Sequence, residues 1–177
     1  MKKLFRFLAV GALLVLSFSC SSDILEDQTD LGRFSVLEVF VDKSQTNQYS
    51  HHVFCHEWGY ATTQKETWVD GTMTEMEEID NILPYKSLDL RENWGMKAWS
   101  WKSHEMNGFW LYSYNHLFID CLGDGGGNYV YQVVEVTPDK LVVREEDYPI
   151  GVPIAPNMFH NNPSGKHTFI RFTYLRK

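Results

Sequence analysis

At 177 residues the chain suits one domain with a sizeable core once a targeting segment is removed. Aromatic residues at 15% and charged residues at 22% exclude a disordered or low-complexity protein, and no internal repeat is present. The net charge is −7, or about −10 without the cations Lys2, Lys3 and Arg6, and no stripe of Lys and Arg interleaves with aromatics, which excludes a nucleic-acid surface.

Residues 1–6 form a basic segment and residues 7–18 an apolar one too short to span a bilayer, the pattern of a secretion signal over residues 1–19. Leu16, Ser17, Phe18, Ser19 and Cys20 resemble a bacterial lipobox of the looser Bacteroidota type. That resemblance implies acylation of Cys20 and a lipid anchor in the outer membrane. Residues 20–30 are polar and acidic, with Asp23, Glu26 and Asp27, and read as a tether. Similar acidic clusters accompany display on the cell surface.

The folded domain is expected over residues 31–177. Residues 34–41 carry enough β-branched and aromatic side chains for a first strand, and residues 43–50 are a polar loop. Residues 50–83 read as an insertion after that strand. Within it residues 51–69 allow one or two short strands, Asp70-Gly71 marks a turn, and residues 72–83 fit helical turns with Met76, Ile79 and Leu83 on one face before Pro84.

From residue 85 to residue 146 the pattern is a β-meander. Leu88 and Leu90 alternate with polar neighbours, the period of a half-buried strand over residues 86–92. Strands follow over residues 96–103, 109–114, 117–122, 129–136 and 141–144. They are separated by turn signals at Asn93 to Gly95, Asn107-Gly108, Gly123 to Gly127 and Thr137 to Lys140. Residues 147–165 hold four of the six prolines and form a long loop fit to reach over one end as a lid. Residues 168–175 close the chain as a last strand, with Phe169 and Arg171 facing one way and Ile170 and Phe172 the other.

These features predict an all-β fold, an eight-stranded antiparallel barrel whose last strand closes on the first and removes both edges. Leu31, Gly32, Arg33 and Phe34 resemble the Gly-x-Trp motif of the first lipocalin strand, with Phe34 in the Trp place. Tyr131, Val133, Val136, Thr137, Asp139, Leu141 and Val143 are similar to the late hairpin of that family. The chain thus resembles the lipocalin-like lipoproteins of the calycin type over residues 31–177. The resemblance implies a barrel and an arginine, Arg171 or Arg176, packed on the first-strand aromatic.

Chemistry-bearing clusters are few. His51, His52, Cys55 and His56 are possible metal ligands, but on a strand they diverge to opposite faces and no second pair follows, so no metal site is assigned. With Cys20 acylated, Cys55 and Cys121 remain as a pair that could form a disulfide in an oxidising compartment, unless Cys121 is simply a buried thiol. Glu77-Glu78 and Glu145-Glu146 are adjacent pairs that point apart, so no acid and base couple and no catalytic residue is assigned. Trp99, Trp101, Trp110 and Tyr131 lie on strands of the meander and are the candidates to line a ligand pocket at the open end of the barrel, against the alternative that they are core.

The function that follows is a lipid-anchored outer-membrane protein, not an enzyme, needing no cofactor, whose barrel binds a small apolar or amphipathic ligand. The alternative is an envelope interaction component with a filled core.

Overall fold

The computed structural model describes residues 34, 40–80, 85–102, 104–122, 127–148 and 157–177. Cys20 and the leader lie outside them. The chain divides into two compact units, Met1–Ser35 and Val36–Lys177. Of the first only Phe34 is described, and the architecture below belongs to the second.

A short 3-10 helix, His51–Phe54, precedes nine strands: β1 Glu57–Val69, β2 Thr72–Glu78, β3 Ser87–Leu90, β4 Gly95–Trp99, β5 Glu105–Ser113, β6 His116–Leu122, β7 Asn128–Val136, β8 Lys140–Glu146 and β9 Lys166–Arg176. All described pairings are antiparallel, in the order β2-β1-β3-β4-β5-β6-β7-β8-β9, and β1 also pairs with β9 along nearly its whole length. The sheet therefore closes in a ring. One edge of β1 is shared: Glu57, Trp58 and Gly59 pair with β3, whereas Gln64 to Val69 pair with β2. The ring is thus β1 plus β3 to β9, the expected eight strands, with β2 as a flap beside it.

Three expectations are corrected. Of the first strand expected over residues 34–41, Phe34, Phe40 and Val41 are outside any strand and residues 35–39 lie outside the described residues; the first described strand is Glu57–Val69, from the segment read as an insertion. Residues 72–78 are a strand, not helical turns. Asp70 and Gly71 both have positive φ, 48° and 78°, the backbone of a tight hairpin turn, and pairing to β1 overrides the weak helical spacing of Met76 and Ile79. Asn107-Gly108 lies inside β5 rather than in a turn; the chain turns between β4 and β5, where Ser100 N donates to His104 O at 3.0 Å.

Alternation along the strands turns one set of side chains inward. Trp58, Leu88, Ala98, Trp110, Leu117, Ile119, Leu141, Phe172 and Tyr174 are buried and belong to one apolar cluster. Trp58 Nε1 donates to the Phe54 carbonyl at 2.8 Å, pinning the 3-10 helix to the start of β1 and setting Phe54 into the same cluster. The last strand behaves as its sequence predicts, with Ile170 and Phe172 inside and Phe169 and Arg171 outside.

Cys55 and Cys121, the candidate disulfide pair, are free thiols in this structure. Cys55 sits just before β1, and Cys121 lies on β6, four strands away in either direction around the ring.

Gly108 shows why a glycine interrupts β5. A Cβ built there would overlap the Asp120 carbonyl oxygen and press on the Cys121 backbone of β6. At Gly59 the same atom would meet the movable Lys177 side chain at 3.1 Å. Gly108→Ala should therefore cost about 1–3 kcal/mol of stability in urea unfolding and Gly59→Ala about 0.5 kcal/mol or less.

Candidate functional site

Not all outward positions face water. Phe118, Val142 and Phe169 alternate with inward neighbours and yet are 1%, 1% and 4% exposed. For Phe169 the cover is visible. Above β6 to β9 lie residues 40–45 and 157–160, and between layer and sheet is a cavity of about 440 Å³. Its floor carries His116, Val130, Gln132, Arg144, Glu146 and Phe169. Its roof carries Phe40, Asp42, Gln45, Tyr148, Met158, Phe159 and His160.

The floor is organised by Glu66, a β1 carboxylate only 1% exposed. It accepts from Arg144 Nη1 at 2.9 Å, Arg171 Nη1 at 3.0 Å and Trp68 Nε1 at 3.0 Å. Burial by itself would raise its pKa, but these hydrogen bonds and the Arg144 charge outweigh burial and hold it below the ordinary value. Arg144 is fixed further by donating Nε to Gln132 Oε1 at 2.8 Å and by lying over the rings of Phe169 and Trp68, 4.3 and 4.9 Å from their centroids.

The roof has its own anchor. Glu146 accepts from the Phe159 backbone N–H at 2.9 Å and pairs with His167 Nδ1 at 2.6 Å. Phe159 then packs edge-on against Trp68, Phe169 and His167. The described part of the long loop is therefore clamped to the side of the ring.

His116 supplies the other polar wall. Its Nδ1 lies 2.6 Å from the Tyr114 carbonyl, which only accepts, so Nδ1 carries the proton and Nε2 is an acceptor in the neutral ring. Burial is the main reason that its pKa lies below the ordinary histidine value. Glu145, on the inward side of β8, is pushed up to about 7 by burial and by Asp147. The cavity, which Tyr129 and Glu145 also line, thus offers aromatic and methionine surface, guanidinium and amide donors, an imidazole acceptor and the carboxylates of Asp42, Glu145 and Glu146, a set suited to holding a polar-headed apolar molecule.

None of the four aromatic candidates lines this cavity. Trp110 is fully buried against His51, Phe54 and Trp94, and Tyr131 packs on Tyr129 and Phe172 inside the ring. Trp99 is half-buried on the outward side of β4, and Trp101 lies in the following turn, edge-on to Tyr60 at 5.2 Å. The His51 cluster is a packing element. His51 stacks on Trp110 at 4.7 Å with Nε2 on the Glu92 carbonyl, His52 reaches the Glu92 carboxylate, and His56 packs on Trp58. Cys55 lies 3.5 Å from His51 Nε2, with its thiol pushed up to about 11 by burial and Glu92. A thiol so raised is a poor nucleophile.

Compared with known protein families, curated proteins and solved structures, the chain matches none.

Glu66→Gln leaves Arg144 and Arg171 beneath the layer without their carboxylate and should cost about 3–5 kcal/mol at neutral pH, read by urea unfolding. A lowered folded pKa means that Glu66 stabilises fully above its ordinary value of 4.5 and that this stability is lost as pH falls through the folded value. The gap between wild type and Glu66→Gln should accordingly narrow as the pH drops below about 4.5.

Proposed function

We propose that this protein binds one small amphipathic molecule, and that the binding site is the side cavity over β6 to β9 rather than the interior of the ring. The observation that carries this reading is the cavity itself: about 440 Å³, walled by Phe40, Met158, Phe159 and Phe169 and furnished with the fixed Arg144 and His116. Ligand pockets of small molecules are roughly 300–1,000 Å³, mostly apolar, with a few oriented polar groups. In the bound state the apolar body lies against the aromatic roof, and the polar head meets Arg144, Gln132 and the His116 acceptor.

The finer identity belongs to the same proposal. A meander that closes its last strand on its first supports a lipocalin-like barrel. The leader and Cys20 support a lipid-anchored protein of the outer membrane, with the acidic tether in favour of the cell surface. Two acyl chains are needed for stable anchoring, because one gives only marginal binding. The runner-up, an envelope interaction component without a ligand, is favoured by the dense packing of inward side chains such as Trp58, Trp110 and Phe172.

A titration with anilinonaphthalene sulfonate, an aromatic anion, tests the proposal. Val130→Trp, which fills the cavity from its floor, and Phe159→Ala, which removes an aromatic wall, should each weaken binding about tenfold, the equivalent of roughly 1.4 kcal/mol. Trp99→Ala and Trp101→Ala should leave it unchanged. Equal binding by parent and Val130→Trp would move the site elsewhere, and no binding by the parent would favour the interaction component.

A further inference from the structure

We propose that β2 is a docking edge for an extended segment of another protein, one that alternates basic and apolar side chains and adds to the sheet as a further strand. β2 stands at the end of the strand order, and among the described residues its second edge has no partner. All seven of its residues are exposed. Such an edge presents backbone N–H and C=O groups ready for another strand.

The register to β1 gives each face of β2 a distinct chemistry. Met76 lies beside Glu66 and Met73 beside Trp68, which share the outward side of β1. Those two methionines, 40% and 44% exposed, make an apolar strip. Glu75 and Glu77 lie beside Thr67 and Lys65 on the opposite side. A register irregularity between Thr67 and Trp68 leaves Thr74 without an opposite residue, so the two methionines share a face despite being three apart. An added strand would thus set one run of alternate side chains against Met73 and Met76, with Glu78 at the end of that face, and the other run against Glu75 and Glu77.

That pattern selects the occupant. Lys65 approaches Glu77 at 3.7 Å, but Glu75 on that face and Glu78 at the end of the methionine face remain without a cation in the register, and cations opposite them are favourable where anions are not. A second copy of the chain pairing β2 to β2 would oppose carboxylate to carboxylate. The proposal therefore commits to a basic, alternating strand from a different protein.

The probe is a fluorescent peptide of about ten residues alternating lysine and valine, long enough to cover β2, added to the full protein and followed by anisotropy and amide hydrogen exchange. Expected are binding, slower exchange at residues 72–78, and about tenfold weaker binding by the Glu75→Gln, Glu77→Gln double variant with an unchanged melting curve. The idea is overturned if the peptide does not bind or protects other residues instead. Equal binding by the double variant, or by a peptide with glutamate in place of lysine, also overturns it. So does a self-associated protein in which residues 72–78 are already protected.

Discussion

The pairing of β1 with β9 is the constraint on which the rest of this structure depends. Without it the sheet would end in two open edges, and the inward residues of β1 and β9, Trp58, Ile170, Phe172 and Tyr174 among them, would have no opposite wall. Closure does more than hide edges. It brings Glu66 of β1 beside β9 and within reach of β8, so that one buried carboxylate ties three neighbouring strands through Arg144 and Arg171. Two desolvated guanidiniums around one carboxylate are costly unless all three groups are bonded, so the floor of the cavity and the seam of the ring stand or fall together.

Much of the ring was legible because its strands are half-buried and alternate. Leu88 and Leu90, Ile170 and Phe172 announce their faces, and the meander from β3 to β8 follows from such pairs and the turn residues between them. β1 was hidden for a physical reason. An irregularity between Tyr60 and Thr62 shifts the register with β9, so the inward parity changes within the strand and no continuous period of two survives. β2 carries no burial pattern at all, and only the hairpin turn before it betrays it. Gly108 misled in the opposite sense: next to Asn107 it resembles a turn, but its role is close backbone approach to β6.

The site was less legible because its parts are joined only by the closed sheet. Glu66 lies 78 residues from Arg144 and 105 from Arg171, and nothing local in the sequence pairs them. One signal was available. Phe118, Val142 and Phe169 are apolar at positions whose inward neighbours are apolar too, and a strand apolar on both faces is covered on both. That run implied a second layer, and over Phe169 residues 40–45 and 157–160 supply one. The aromatic candidates drew attention by size instead, and size in a narrow ring more often means packing than recognition.

The number of strands then explains where a ligand has room. Eight strands enclose space for one layer of side chains or for one small molecule, but not for both. Here Trp58 and Trp110 are fully buried and Tyr131, Phe172 and Tyr174 nearly so, all on the inward side, so the ring spends its interior on its own stability. Concave space must come from elsewhere. A loop clamped by Glu146 against the outward face of β8 and β9 provides it without loosening the core, because the roof is held by backbone and side-chain bonds to the rim of the cavity rather than by packing through its centre. A cavity made in this way can vary its roof, through residues 40–45 and 157–160, while the closed sheet beneath it stays the same.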